Sequence, residues 1–429
     1  MRRLLPIFAL LIVVAACGDD SLDTSTSVPT SIDAAALEEE IAVLVEAAEQ
    51  IRGLEFVVSP TITIVTPEEL AERVRDQIEE DLTPEDVAVA QRLYEVLGLL
   101  DGTVDLGQAY TDLYAEQVGG YYDSDTGEMV IMGGSSLSPL SESIVVHELV
   151  HALTDQHYGF AAVSDEYWES DQFERAVAIS ALAEGDATYF QLVYLETLPV
   201  AEQLEAVEES LATDTTVMDS LPAWFGEDLT FPYDSGFGFV ERLITEGDVA
   251  GVNQAYELLP ETTEQVLHPE KYLIREPAVE VVLPEVEITG YEVFEEGTFG
   301  EWNTFLYLLN GVPRGEAVVA SAGWGGDRYR IYWPGSLDCE GDGTCGTSIA
   351  FAYLFRGDTP RDAEELATSL KESIAARMDV GSPRSTDEGV TTFSGGARFA
   401  YVRLQGSEVL FVAAEDTATG QNLVAGLGG

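Results

Sequence analysis

The 429-residue sequence predicts an α+β protein built from two successive domains. Its first part combines stretches of helical periodicity with short β-rich runs, whereas from about Val286 alternating β-rich segments are separated by glycine turns. Hydrophobic residues make up 46% of the chain, which is enough for a sizeable core. We therefore expect one domain over residues 34–285 and a second α+β domain over residues 286–429.

The N-terminus has the pattern of an export signal, with two arginines, an apolar run and small residues before Cys17. The apolar run falls short of the ~20 residues that a spanning helix needs, which favours cleavage over an uncleaved N-terminal anchor. The VAAC ending resembles the lipobox of bacterial lipoproteins, which implies a signal peptide over residues 1–17 and lipidation of Cys17. Residues 18–33 are rich in Ser, Thr and Asp and predict a disordered tether. The body is then extracytoplasmic and held at the membrane only through the N-terminal lipid.

The charge balance excludes two classes of partner. The chain carries 78 acidic residues against 20 basic ones, a net charge of −58. Such a surface repels nucleic acid and anionic lipid headgroups, so neither is expected to bind it.

Cys339 and Cys345 are the two cysteines that remain after Cys17, and they enclose a five-residue loop. An oxidising compartment favours their pairing. A loop this short adds only about 2 kcal/mol on the chain-entropy estimate, so the expected disulfide fixes a hairpin tip and not the whole fold.

Hydrophobic period and capping residues place the elements of the first domain. Thr83 and Ser138 are suited to cap helices that begin with proline. The turn residues 125–127 lie between two β-rich runs and predict a hairpin. In chain order we expect a helix over 35–51, a β-rich run over 55–66, helices over 67–80 and 84–100, the hairpin over 119–134, and a helix from 139 to about 157. In the second domain we expect a helix over 361–377 and a tight β-turn in GWGGDRY beside Trp324.

Three of the four histidines fall within the eleven residues from His147 to His157. His147 and His151 are four residues apart, so on a helix both rings leave the same face. Glu148 lies beside them, giving HExxH, in which two imidazoles bind zinc and the glutamate handles protons. The surrounding apolar residues predict a buried helix, and buried imidazoles need a polar partner such as a metal.

With these residues the chain resembles the zincin metallopeptidases. Zinc catalysis needs a third protein ligand, for which the sequence offers His157 or Glu184. An unbroken helix turns His157 away from the face of His147 and His151, and Thr154 stands where metzincins have a glycine. Glu184 lies on a second apolar helix, and this arrangement resembles the gluzincins, whose third ligand is a glutamate on a following helix. We therefore expect the metal set His147, His151 and Glu184.

Further site residues are expected around these ligands. Asp155 and Asp186 could orient the imidazoles as hydrogen-bond acceptors. Gluzincins use a downstream His or Tyr to stabilise the oxyanion, which indicates His268 as a catalytic residue, with Tyr233 and Tyr272 as weaker candidates. The hairpin is expected to line the cleft, because extended peptides bind such sites by strand addition.

The resemblance implies a zinc-dependent hydrolase that cleaves a peptide or protein substrate, with Glu148 taking the proton of the attacking water. Two alternatives stay open at this point. One is a binding or assembly lipoprotein that keeps the scaffold without turnover, and the other is a zinc amidase that acts on cell wall.

Overall fold

The structure is a computed structural model that describes residues 12–14, 34–81, 83–124, 126–132, 136–335, 349–386 and 388–429. Its strands are β1 Ile12–Val14, β2 Thr61–Val65, β3 Val118–Asp123, β4 Glu128–Met132, β5 Glu292–Gly297, β6 Trp324–Trp333, β7 Ala350–Gly357, β8 Pro383–Ser385, β9 Val390–Phe393, β10 Phe399–Gln405 and β11 Glu408–Ala414. Its helices are α1 Ala34–Arg52, α2 Pro67–Asp81, α3 Pro84–Leu97, α4 Leu106–Gln117, α5 Pro139–Tyr158, α6 Phe160–Glu169, α7 Phe173–Thr197, α8 Val200–Leu211, α9 Thr216–Ser220, α10 Ala223–Glu257, α11 Thr263–Leu267, α12 Pro269–Leu273, α13 Gly300–Leu309, α14 Arg314–Ser321, α15 Pro360–Arg377 and α16 Thr417–Gly426.

The N-terminal half contains a small mixed sheet in the order β1-β3-β4-β2. β3 and β4 form the expected antiparallel hairpin, and β2 pairs with β4 in parallel. One face of this sheet packs on α5, and α1 covers the same core cluster, which includes Leu44, Ile131 and Leu149. The hairpin therefore lies directly beside the HExxH helix.

Capping residues determine where α5 begins and ends. The Ser138 side chain accepts a hydrogen bond from the Ser141 backbone N–H, and Pro139 occupies the first helical position. Gly159 ends the helix in the left-handed conformation, with φ of 62°. All residues from Ser143 to Thr154 are buried, so the helix is surrounded by protein as the sequence predicts.

α7 and α10 pack against each other at a contact between two glycines. A Cβ on Gly185 would lie 2.1 Å from the Gly236 carbonyl, and a Cβ on Gly236 would lie 2.0 Å from the Ala181 carbonyl oxygen. Real Cβ atoms do not approach so closely, so the two backbones can meet only because both side chains are absent. The contact brings α10 against the segment of α7 that carries Glu184.

The C-terminal part is a seven-stranded antiparallel sheet in the order β5-β6-β7-β11-β10-β9-β8. α15 packs on one side and α16 with the segment around Leu283 on the other, so both faces are largely buried. The helix expected over 361–377 is observed as α15, and an α+β architecture is confirmed for the chain. The domain boundary at residue 286 stays a prediction.

Three local expectations are wrong. Residues 55–60 are irregular, and only Thr61–Val65 form a strand. Residues 318–321, which begin one of the β-rich segments expected after Val286, belong to helix α14, since Pro313 precedes its first turn and its buried alanines face the core. GWGGDRY is not a tight turn but the start of β6, where a bulge near Trp324 keeps Gly326 against the Val279 backbone.

Three expectations fall on residues that the structure does not describe. Cys17, Cys339, Cys345 and most of residues 1–33 lie outside the described residues, so the lipidation site, the tether and the disulfide stay predictions. Among the helices that the structure describes, none is both long and apolar enough to cross a membrane.

Candidate metal centre

Three ligand atoms converge between α5 and α7. His147 Nε2 lies 3.0 Å from His151 Nε2 and 3.1 Å from Glu184 Oε2, and the last side of the triangle, His151 Nε2 to Glu184 Oε2, is 3.3 Å. All three residues are at least 98% buried. Ligands about 2.0–2.1 Å from a tetrahedral ion are separated by about 3.3 Å, so the triangle has nearly the size of one tetrahedral face. His147, His151 and Glu184 could therefore bind a metal ion.

Electrostatics favour the protonation states that a metal needs at His147 and Glu184, whereas they favour the protonated form of His151. Burial lowers the pKa of His147, which keeps its imidazole neutral and able to act as a ligand. Burial alone would raise the pKa of Glu184, but the two adjacent imidazoles outweigh it and lower that pKa. His151 is also buried, which lowers its pKa, whereas the carboxylates of Glu184, Glu148 and Asp186 raise it to a larger extent. The centre has the N,N,O donor set that suits zinc.

Glu148 lies beside this triangle without a partner of its own. Both carboxylate oxygens are buried, and no group in the described part of the chain completes a hydrogen bond to either. Burial raises the Glu148 pKa to about 8, and the Glu184 carboxylate adds to that shift, while His151 and the Tyr122 backbone on β3 act against it. A buried carboxyl group without a partner is costly unless the site uses it.

Gln191 is a site residue that the sequence analysis missed. Its Oε1 lies 3.1 Å from His147 Nδ1, and its Nε2 donates to Ser143 Oγ at 3.1 Å. Ser143 Oγ in turn donates to the Leu140 carbonyl at 2.7 Å. This chain fixes the His147 ring so that Nε2 points to the ligand triangle. Gln191 follows Glu184 by seven residues, two helical turns, which places both on one face of α7 and is the signal that could have identified it.

The two carboxylates expected to orient the imidazoles do not hydrogen-bond them. Asp155 accepts a hydrogen bond from the Ala161 backbone N–H at 3.1 Å and lies 3.5 Å from the Tyr122 hydroxyl, so it joins α5 to α6 and β3. Asp186 accepts hydrogen bonds from Arg52 and Tyr256. Its charge nevertheless acts on His151, whose buried Nδ1 has no hydrogen-bond partner among the described residues.

His157 and His268 lie away from the ligand triangle. His157 is exposed, and its Nε2 lies 2.8 Å from the Glu55 carbonyl, because the helix continues unbroken past His151. His268 lies between α11 and α12, where its Nε2 is 3.0 Å from Glu301 Oε1 on α13. The catalytic role expected for His268 stays a prediction, and its imidazole is engaged with Glu301.

Tyr233, the weaker candidate from the sequence, lies near His147. Its ring centroid lies 6.2 Å from that of His147. Burial raises its pKa well above the usual value, and the Glu184 and Glu148 carboxylates raise it further, so the phenol stays protonated. Tyr233 precedes Gly236 by one helical turn, and the contact between Gly185 and Gly236 thus sets its distance from the metal centre.

Comparisons with known proteins give one family match, in the C-terminal part, and one similar solved structure. A family described as a domain of unknown function (DUF8575) matches residues 290–424, under half of the chain and outside the metal centre. No curated protein matches the chain. A solved structure from Chloroflexus aurantiacus, described as "a putative hydrolase with a novel fold", is 17% identical, covers 58% of this chain and 92% of its own, and has a TM-score of 0.38. At that TM-score the likeness carries no argument about activity.

Proposed function

We propose that the protein is a zinc metallopeptidase of the gluzincin kind, with a zincin fold around α5 and α7. The observation that carries the proposal is the position of a buried, unpartnered Glu148 carboxylate beside three convergent ligand atoms. A metal site that served stability alone would have no use for this fourth group, because it leaves a polar side chain buried without a partner.

The residues fit zinc as a catalytic ion. His147, His151 and Glu184 would hold it and leave one tetrahedral position open, as catalytic zinc sites require. When bound, zinc supplies Lewis-acid chemistry, lowering the pKa of water and polarising a carbonyl oxygen.

Glu148 is the proposed general base. Its pKa of about 8 in the metal-free site means that the carboxyl group is largely protonated at neutral pH, and the positive charge of a bound metal would lower that pKa. The carboxylate could then take the proton of the attacking water and return it to the leaving amine. Burial on α5 removes competing solvent, and no group among the described residues completes a hydrogen bond to either oxygen, which leaves both available to the reactants.

Tyr233 is the proposed donor to the oxyanion that develops when the carbonyl is attacked. Its raised pKa keeps the O–H proton in place, and its position against His147 puts the donor at the rim of the metal centre.

β3 is the proposed binding edge for an extended peptide. Its outer edge already pairs antiparallel with Ile12–Val14, with Val14 opposite Val118 and Ile12 opposite Tyr121. These three residues belong to the predicted signal peptide, so cleavage would free the edge for a substrate strand. The Tyr122 backbone is near enough to act on the Glu148 carboxyl group, which would bring a strand on β3 to the proposed base.

The test is to incubate the zinc-reconstituted protein with a mixed peptide library and with cell wall, with and without chelator. We expect chelator-sensitive cleavage of peptides and not of cell wall. Glu148→Gln should keep zinc yet lose at least about a hundredfold in turnover, since it removes proton transfer and no ligand. Tyr233→Phe should lower kcat by about tenfold or more with little change in KM. Full activity of Glu148→Gln would refute the proposed mechanism, and cell-wall cleavage alone would replace the peptide substrate.

We also infer that the mature chain is an extracytoplasmic lipoprotein, anchored through a lipidated Cys17. The support is the sequence pattern at the N-terminus, and the strong acidity of the chain agrees with a lipid anchor as its sole attachment to a membrane.

A further inference from the structure

Arg52 is a fully buried guanidinium at the end of α1, far along the chain from the ligands. Its Nε donates to Asp186 Oδ2 at 3.0 Å, its Nη1 donates to Asn253 Oδ1 at 2.8 Å, and its Cζ lies 5.2 Å from the centre of the Phe190 ring. Both members of the ion pair with Asp186 are 0% exposed. Burying two charges is costly, so a buried pair is weak evidence of a role in stability.

Asp186 lies between this arginine and the metal centre. It follows the ligand Glu184 by two residues on α7, and its Oδ2 also accepts a hydrogen bond from Tyr256 at 3.0 Å. Arg52 and Tyr256 thus hold one oxygen of the carboxylate. The other, Oδ1, is buried without a partner in the part of the chain that the structure describes.

The two ligand imidazoles differ in how their rings are held. His147 Nδ1 is fixed by Gln191, whereas His151 Nδ1 is buried and no described group hydrogen-bonds it. Once His151 Nε2 binds a metal, Nδ1 carries the proton and needs an acceptor. Asp186 Oδ1 is a free acceptor, and the Asp186 charge is near enough to act on His151.

We infer that Arg52 is a positioning residue of the metal centre: it fixes Asp186 so that the free Oδ1 accepts, through one water, the hydrogen bond that Nδ1–H of metal-bound His151 donates. The inference rests on the proposed metal site and extends it to α1. Arg52 touches neither metal nor substrate, and its effect passes through Asp186 alone. Helix α1 would then contribute to metal binding as well as packing on the hydrophobic core.

The test measures zinc affinity by chelator competition and the visible absorption of the cobalt-substituted protein, which reports ligand geometry. Arg52→Met keeps length and the contact with Phe190 but removes the cation, and we expect zinc affinity to fall about tenfold or more with an altered cobalt spectrum. Arg52→Lys restores a cation and should recover part of the affinity. Asp186→Asn should match Arg52→Met, and the double variant should lose no more than Asp186→Asn alone, because both act on one acceptor.

Leu44→Ala is the matched control, since Leu44 is buried on α1 but belongs to the apolar cluster against α5. It should lower the free energy of unfolding and leave zinc affinity and the cobalt spectrum unchanged. Zinc affinity of Arg52→Met within twofold of wild type, or additive losses in the double variant, would overturn the inference while leaving the metal site intact. If Arg52→Met does not fold, the pair Asp186→Asn and Arg52→Lys decides in the same way. A wild-type protein that binds no zinc would overturn the proposed function and the inference together.

Discussion

Glu174→Gln tests whether a buried acid at the junction of α7 with the C-terminal sheet makes stability depend on pH. Glu174 Oε1 accepts hydrogen bonds from the Thr263 backbone N–H at 2.6 Å and the Thr263 hydroxyl at 2.8 Å, while Oε2 is buried without a partner among the described groups. Glutamine keeps the accepting oxygen and cannot ionise. It therefore imitates the protonated acid over the whole pH range.

The size of the expected loss of stability follows from the shift in the pKa of Glu174. Burial raises the pKa of Glu174 from 4.5 to about 8, with Thr263 opposing the shift and Asp327 and Glu301 adding to it. The folded state thus binds the proton more tightly than the unfolded state. The contribution to stability is fully present below pH 4.5 and is lost as pH rises to about 8. At about 1.4 kcal/mol per pKa unit, the loss amounts to at most about 5 kcal/mol.

The assay is denaturant unfolding followed by tryptophan fluorescence, at several pH values between 4 and 9 with excess chelator. Wild-type stability should fall across this range, and the stability of Glu174→Gln relative to wild type should rise with pH and level off above pH 8. Glu241→Gln, an exposed residue on α10, is the control and should follow wild type. Parallel curves for wild type and Glu174→Gln would show that Glu174 does not carry a raised pKa in the folded protein, and the reasoning would be refuted.

Two further predictions concern the helix contact and the anchor. Gly185→Ala should destabilise the protein by about 1–3 kcal/mol and reduce metal affinity, because its Cβ would meet the Gly236 backbone at 2.1 Å. Gly238→Ala on α10 is the control: its Cβ would enter open space, so neither stability nor metal affinity should fall. Equal unfolding midpoints for the two variants would contradict the close packing. Cys17→Ala should release the body into the soluble fraction, since the lipid is the proposed anchor, and fractionation that still finds the variant on membranes would remove that proposal.

The candidate metal ligands could be predicted because their signal is local. His147 and His151 are fixed on one face by helical spacing alone, and apolar neighbours showed that the helix is buried. Glu184 required a choice between two candidates, and it depended on helix geometry: without a break after His151, His157 must turn outward, as the structure shows. Burial and helical spacing were thus sufficient to predict the three residues of the ligand triangle.

The surrounding residues could not be predicted in the same way, because they meet through tertiary packing. Tyr233 lies near the centre only because Gly185 and Gly236 let two helices pack closely. Neither segment has a sequence pattern that indicates this contact. Arg52 reaches Asp186 across 134 residues. His268 was preferred to Tyr233 from its residue type, yet the fold places its imidazole against Glu301. Side-chain chemistry identified the candidate residues, but only the tertiary structure showed which of them lie near the centre.

The central claim is that His147, His151 and Glu184 form one metal centre, and zinc titration of the chelator-treated protein tests it most directly. We expect about one zinc per chain, with affinity reduced at least about a hundredfold in Glu184→Ala and nearly unchanged in His157→Ala, which removes a histidine of the same helix that faces solvent. Failure of the wild-type protein to take up zinc, or a larger loss in His157→Ala than in Glu184→Ala, would contradict the account.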